Sequence, residues 1–450
     1  MEKLLGTTLS ATFWATHNPG PTFSGSLDIG EDGSASLRVT GSRAALMALD
    51  ALPSFHMHGV AEGKQITLFD CFTTWVPHVS ADNSARIVVN IVAFGDLIES
   101  TETGVASALS FTTPEMIRWA NLRGLTYNSN KEVKATYSGK RTMEVHAEGA
   151  TVQFSTGIKI ETSSVSELNL VERNGVRIAF DQPQSILDID RWVTKVCRLI
   201  SLALRCPTVC RVYELEQKKG GPITIVTHSS KSVAAETKMV HPLFIRPKRQ
   251  ALYARVLRSW FAEYDKLEPV ISLRVALLSQ PAKFREFEFL TYVQAVEALH
   301  RRTRPARTLV DKKQYADLHG KLVEAIPSHW ETKAEFVNKL RYLNEISLAD
   351  RLRDVFAYDK ELLGALFRDE AKDVALIKDL RNYFTHYDGK KSERVLAYIG
   401  TTKFYYLTAK VLLLLEIAML REIGFSQAEV RSLIQNDPTY RDLCRADHSR

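Results

Sequence analysis

Alternation of apolar and polar residues dominates the first part of the chain. Phe23 to Ile29 and Ala35 to Val39 alternate with period two on either side of a turn, Glu31-Asp32-Gly33-Ser34. Gln65 to Phe69, Ala85 to Phe94 and Thr151 to Phe154 repeat the pattern, and clusters of Gly, Asn, Asp and Ser separate them. Short strands at this spacing predict a sandwich or a barrel. Thr113 and Pro114 open a short helix running to Ala120, with Thr113 as the cap and Pro114 at the first helical position.

Near Pro183 the period changes. Apolar residues at 186, 189, 192, 193, 196, 199, 200 and 203 form a helical stripe from Ile186 to Leu204. Cys206, Val209, Val212 and Ile223 to Val226 predict a returning hairpin through Gly220-Gly221-Pro222. From Pro247 onward the pattern is almost entirely helical. Segments 249–278, 284–303, 331–343, 348–367, 370–387 and 393–423 are rich in Leu, Ala, Glu, Lys and Arg. Pro269, Pro281, Pro305 and Pro327 punctuate them, and Gly389 to Ser392 and Gly424 to Ser426 read as helix ends. The expected fold class is α+β in three parts. A β-rich domain spans 1–182, a connector helix and hairpin packed on it span 183–244, and an all-helical domain spans 245–450.

Composition narrows the class without changing that picture. The 450 residues are 45% hydrophobic and 25% charged, the balance of a soluble globular protein. A mainly disordered chain, a collagen-like chain and a polytopic membrane protein are excluded. The most apolar run, Phe404 to Leu420, is interrupted by Lys410 and Glu416, and it falls short of the about 20 mostly apolar residues of a membrane span. It reads as a buried helix. Five cysteines form no dense disulfide framework, and Met1 to Leu5 is no secretory signal, so a reducing cytoplasm is the expected setting.

Charge is divided unevenly. Residues 1–185 carry a net −5 and residues 186–450 a net +12. The basic half is therefore the place to look for a polyanionic partner. Within it Arg301, Arg302, Arg304, Arg307, Lys312 and Lys313 form a basic stretch around Pro305. This stretch reads as a contact to an RNA backbone or as an ordinary solvated helix end.

Most motif-borne chemistry is missing. The sequence has no phosphate loop, no dinucleotide fingerprint, no His-Glu-x-x-His helix and no paired Cys-x-x-Cys set. Cys197, Cys206 and Cys210 lack a fourth ligand in register, and His56 and His58 share a strand face without a third ligand. No metal and no cofactor are expected. One cluster stands out, Lys378 to Gly389, which holds Arg381, Asn382 and His386 among Tyr383, Phe384 and Tyr387. Residues five apart on a straight helix lie about 140° apart, so Arg381 and His386 converge only if the last turn loosens before Gly389. The bland alternative pairs Arg381 with Asp379 or Asp388 and leaves His386 as a helix cap.

Arg381 to Asp388 resembles the signature of HEPN domains, the "higher eukaryotes and prokaryotes nucleotide-binding" superfamily. More narrowly it resembles the Apea-like HEPN family of bacterial anti-phage defence proteins. Phe287 to Arg302 is similar to that family's first core helix. Ala11 to Trp14, Phe23 to Leu27 and Gly33 to Leu37 resemble the ApeA N-terminal domain. The resemblance implies a β-rich sandwich- or barrel-like sensor domain followed by an all-α HEPN bundle. It implies an abortive-infection endoribonuclease that needs no metal, built as a homodimer through the HEPN domain and answering a phage-encoded trigger. RNA brings its own nucleophile, the 2′-OH. His386 would be the general acid or base, since an imidazole titrates near neutrality. Arg381 would clamp the phosphate and Asn382 would position it. Glu297, one helical turn from His300, would hold Arg381 in place. Arg301, Arg302, Arg304 and Arg307 would bind RNA. The competing expectation is a non-catalytic HEPN module that binds RNA or nucleotide, or serves assembly, beside a ligand-sensing β domain.

Overall fold

The computed structural model describes residues 4–75, 83–120, 125–128, 134–137, 139, 141–164, 167–228, 241–305, 307–386 and 393–446. The chain divides into two compact units, Met1–Ala262 and Glu263–Arg450.

In the first unit the alternating segments become strands. These are β1 (Thr7–Ala15), β2 (Asn18–Ile29), β3 (Ala35–Thr40), β4 (Phe55–Ala61), β5 (Lys64–Trp75), β6 (Ser84–Gly95) and β7 (Ala106–Phe111). They continue with β8 (Leu125–Asn128), β9 (Lys134–Tyr137), β10 (Arg141–Ala147), β11 (Ala150–Ser164), β12 (Glu167–Gln184), β13 (Val212–Glu216) and β14 (Ile223–Thr227). Three helices are interspersed, α1 (Arg43–Asp50), α2 (Pro114–Ala120) and α3 (Ile186–Leu204).

Among the described residues twelve strands form one antiparallel sheet, and β6 organises it. One edge of β6 pairs with β5 along nearly its whole length. Its other edge pairs with β3 through residues 84–89, which closes β6-β3-β2-β1-β4-β5 into a barrel. Alternate residues point inward and form the core, among them Phe13, Phe23, Leu27, Leu37, Met57, Leu68, Ile87 and Val92. From Ile91 to Phe94 the same edge passes to β14, and the sheet continues as β14-β13-β7-β12-β11-β10. Gly33, in the predicted turn between β2 and β3, has φ +78°, and a Cβ there would come within 2.2 Å of the Thr227 carbonyl oxygen. Only glycine fits that approach.

Two boundaries differ from expectation. The hairpin expected to pack on the β domain is inside its sheet, with β13 beside β7 and β14 beside β6. Its apolar residues Val212, Leu215, Ile223, Ile225 and Val226 are all buried, as in a central strand covered on both faces. The first unit also extends past residue 244, into α4 (Gln250–Ser279), where the Trp260 indole donates to the Lys195 carbonyl at 3.0 Å.

The second unit is helical. After the remainder of α4 come α5 (Arg285–Thr303), α6 (Lys312–Ala325), α7 (Lys333–Leu340), α8 (Leu348–Phe356), α9 (Lys360–Leu366) and α10 (Glu370–His386). Then follow α11 (Glu393–Leu396), α12 (Thr402–Glu422), α13 (Gln427–Gln435) and α14 (Pro438–Ala446). The apolar run forms α12, the unit's core helix. Phe404 on α12, Phe289 on α5 and Phe384 on α10 meet as a ring triangle, with centroids 5.3 to 6.2 Å apart. Glu416 on α12 is fully buried and pairs with Arg274 at 3.0 Å. Among the described residues no helix is long and apolar enough to cross a membrane.

The helix boundaries carry three corrections. The expected 348–367 helix breaks into α8 and α9 because Asp359 caps the latter, accepting from the Leu362 amide. The expected 393–423 helix breaks near Gly400, which has φ +72°. Lys312 and Lys313 begin α6, a helix with no buried residue and hence no apolar stripe to announce it.

Candidate functional site

Helices α5 and α10 present the polar cluster. α5 buries Phe289, Tyr292, Val293, Val296 and Leu299 along one stripe, which leaves Gln294, Glu297 and Arg301 outside it. α10 buries Val374, Ile377, Leu380 and Phe384, which turns Arg381 and Thr385 toward α5. Leu290, Gln294, Glu297, Arg301, Arg381 and Thr385 then line a groove of about 510 Å³.

Glu297 sits between two guanidinium groups. Its Oε1 accepts from Arg301 Nη2 at 3.1 Å and Nε at 3.3 Å, and its Oε2 lies 3.5 Å from Arg381 Nη2. Asn382 Oδ1 accepts from Arg381 Nη1 at 3.2 Å. Arg381 is thereby held from two sides while 34% of its side chain stays exposed. Asp379, the proposed rival partner, lies 3.6 Å from Lys378 instead. Tyr387, Asp388 and Gly389 lie outside the described residues.

His386 is elsewhere on the helix. α10 is regular through His386, and the Thr385 hydroxyl donates to the Arg381 carbonyl at 2.7 Å, so the turn that could bring the two residues together by loosening stays helical as far as residue 386. His386 is exposed at the helix end and does not line the groove. Five residues of regular helix keep Arg381 and His386 about 140° apart, the separation their spacing gives on a straight helix.

The four basic residues differ from one another. Arg301 bridges Glu297 and Glu345, the latter at 2.6 Å. Arg304 donates to the Tyr358 hydroxyl at 2.6 Å, and Arg307 donates to Asp354 at 3.0 Å. Arg302 is exposed, with no carboxylate partner among the described residues.

A charged chain that the sequence reading missed runs behind the groove. Glu345 also accepts from Arg351 Nη2 at 3.4 Å, and Arg351 Nη1 lies 3.3 Å from His300 Nδ1. An arginine only donates, so Nδ1 accepts. The imidazole proton is therefore on Nε2, 2.9 Å from Asp354 Oδ2. Burial pushes the His300 pKa down, and the contact with Asp354 offsets only part of it. Burial alone would raise Asp354, but hydrogen bonds from His300 and Arg307 hold it below the usual carboxylate range. His300 is thus a neutral link between Asp354 and Arg351. One signal was legible: both His300 and Arg351 occupy apolar-stripe positions, His300 beside Leu299 and Val296, Arg351 beside Leu352 and Val355.

Outside this region the other candidates have structural partners. His56 Nδ1 accepts from the Asp70 amide and His58 Nε2 lies 3.1 Å from the Ile98 carbonyl oxygen. Cys210 donates to the Val212 carbonyl at 3.3 Å. Among the described residues no group of three or more His, Cys, Asp or Glu gathers to hold a metal ion.

Comparison with known families matches both units. Residues 290–429, which hold Glu297, Arg381 and His386, match the Apea-like HEPN family. Residues 9–238, the barrel, its sheet extension and α3, match ApeA N-terminal domain 1. No curated protein and no solved structure matches the chain. With the N-terminal match alone spanning half of the sequence, the chain belongs to the ApeA family of HEPN proteins, which implies an anti-phage defence protein with a nuclease-type helical domain.

Proposed function

We propose that the chain is an abortive-infection endoribonuclease acting in the cytoplasm, with its reaction centre at Arg381 and His386. The observation that carries this reading is Arg381, held by Glu297 and Asn382 yet partly exposed in a groove, within a segment that matches Apea-like HEPN. Its guanidinium offers a fork of donors to a phosphodiester and stays charged throughout. The 2′-OH of the substrate attacks the adjacent phosphorus as its proton leaves. An O2′–P bond forms, the P–O5′ bond breaks, and the 5′-oxygen takes a proton. His386 transfers protons in this exchange, and Arg381 stabilises the charge that grows on the non-bridging oxygens. Asn382 orients Arg381. The step needs no metal, because RNA supplies the nucleophile and Arg381 the counter-charge.

The regular helix favours a homodimer. One chain's Arg381 and His386 look in different directions, so a twofold pairing of HEPN units would bring two histidines and two arginines to a shared cleft. The N-terminal domain would restrain this assembly until a phage-encoded product arrives. The same separation also favours the second reading, a HEPN module that binds RNA or nucleotide without cutting it.

One experiment separates the two. Purified protein is incubated with total RNA and EDTA, beside a His386→Ala control. The nuclease reading expects fragments ending in 2′,3′-cyclic phosphate from the wild type alone. Binding without fragments, or strict Mg²⁺ dependence with 3′-hydroxyl ends, contradicts it.

A further inference from the structure

A second groove, of about 490 Å³, opens where α5 ends, and Arg304, Arg307, Asp354, Tyr358 and Arg421 line it. Glu297 and Arg301 are four apart on one face of α5, and Arg304, the residue that caps the C-terminus of α5, follows Arg301 by three. Two helical turns, about 10 Å, separate Glu297 from Arg304. The Arg381 groove is lined from within α5 and this one from its C-terminal end, so the two follow each other along the helix.

Three guanidinium groups meet here, each only partly satisfied. Arg304 lies over the Tyr358 ring, 4.4 Å from its centroid, and donates to its hydroxyl. The hydroxyl in turn donates to Glu422. Burial and that bond push the Tyr358 pKa up to about 12, so the phenol keeps its proton. Arg307 spends Nε on Asp354, and no acceptor meets its terminal nitrogens among the described residues. Arg421 Nη1 donates to the Phe425 carbonyl at 3.0 Å, while its buried Nε has no acceptor among the described residues. Three positive groups face the two carboxylates Asp354 and Glu422, and His300 beside Asp354 adds no charge in its neutral form. The groove keeps a net positive charge with donors to spare, and an anion with several oxygens fits that need.

We propose that Arg304, Arg307 and Arg421 form a second phosphate subsite, which takes a backbone phosphate of the single-stranded RNA that lies across the Arg381 groove. The identity of that RNA strand rests on the ribonuclease reading; the subsite itself rests on the groove. Two turns of α5 match the reach of a few nucleotides, so one strand can touch both grooves. The contacts are to phosphate alone, so they add affinity and length preference without base selectivity. A free mononucleotide could offer the same phosphate chemistry, and the test separates the two sources.

Binding of fully 2′-O-methylated oligonucleotides, which cannot be cleaved, is measured by fluorescence anisotropy against the full-length chain. A dinucleotide, a longer single strand and AMP are compared at several salt concentrations. For Arg307→Gln and Arg421→Gln, affinity for the longer strand should fall about tenfold, and the salt slope should drop by about 0.7 per lost phosphate contact. Dinucleotide binding should stay unchanged. Arg421→Lys should keep the salt slope, which separates lost charge from a damaged fold. Wild-type affinity and slope in both glutamine variants would overturn the subsite. Equal losses for AMP and the longer strand would assign the groove to free nucleotide and overturn the backbone role. Because no cleavage is read, an inactive nuclease leaves this result standing, and an active nuclease with unchanged variants removes only the subsite.

Discussion

Arg381 and Glu297 stand 3.5 Å apart across the groove, while Glu297 holds Arg301 more closely, at 3.1 Å. The carboxylate is therefore anchored on its own helix and reaches over to Arg381 loosely. A loose partner suits a clamp that must exchange carboxylate for phosphate. Glu297→Gln should lower kcat for RNA cleavage by about tenfold to a hundredfold through misplacement of Arg381. Stability should change by less than about 1 kcal/mol, because both pairs are partly exposed. As a positioning residue, Glu297 should leave the shape of the pH–rate profile unchanged. A wild-type kcat in Glu297→Gln would remove its role.

The proposed reacting groups, His386 and Arg381, should behave differently. His386→Ala should lose about 10²- to 10⁴-fold in cleavage, the usual worth of a positioned proton-transfer group. Arg381→Ala should abolish cleavage as well. Neither should move the unfolding midpoint, since His386 is exposed and Arg381 partly so. Toxicity in cells and cleavage of purified RNA are the two readouts. Full activity in either variant would put the reaction centre elsewhere.

The His300 link makes stability depend on pH. Its folded pKa lies below the ordinary 6.5, so the unfolded chain binds more protons as pH falls through that value. The contribution of neutral His300 is complete above the unfolded pKa and is lost as pH falls from there toward the folded one. Asp354, held low by His300 and Arg307, acts in the same direction at lower pH. Urea unfolding of the full chain should show falling stability from neutral pH into the mildly acidic range. His300→Ala should flatten this slope. It should also cost about 2–4 kcal/mol at neutral pH, since Arg351 and Asp354 lose a buried partner. A slope as steep in His300→Ala as in wild type would assign the effect to other groups.

A buried pair offers a cleaner test of the helical core. Arg274 and Glu416 are almost entirely enclosed, and Glu416→Leu leaves the Arg274 charge buried without this carboxylate. Glu416→Leu alone should destabilise by about 3–5 kcal/mol. Arg274→Met together with Glu416→Leu should recover most of that loss, because no charge is left buried. A double variant as unstable as the single one would mean that the pair organises the packing beyond its own charges.

Legibility in the sequence followed periodicity. The barrel strands around Leu27, Leu37, Ile66 and Ile87 and the stripe of α3 alternate or repeat cleanly, and they fold as expected. The β13–β14 hairpin was seen as strands but not as part of the sheet, because pairing partners over a hundred residues away leave no local mark. α6 was missed because it buries nothing. Within the site, Arg381, Asn382 and Glu297 were legible as a local motif and a helix position, and they lie together. Glu345, Asp354, Tyr358 and Arg421 were not. Asp354, Tyr358 and Arg421 line the second groove, and Glu345 pairs with Arg301, through tertiary contacts that leave no mark in the local sequence pattern. The separation of His386 from Arg381 was legible too, because five residues of regular helix span about 140° and the helix keeps its pitch through His386.

That regular pitch leads to the last prediction, which concerns assembly. One chain supplies one Arg381 in a groove and one exposed His386 about 140° away around the same helix. Transesterification needs a proton acceptor, a proton donor and charge stabilisation near one phosphate. A single chain offers one imidazole, and it is turned away from its own clamp. On the proposed ribonuclease reading, the residues needed would be complete only when two HEPN units present their α10 helices to each other. Wild-type chain mixed with His386→Ala chain, after verified subunit exchange, should lose activity with the square of the wild-type fraction if both copies serve one cleft. Loss in simple proportion to the wild-type fraction would mean that each chain completes a site by itself, and α10 would then have to unwind near His386 when RNA binds.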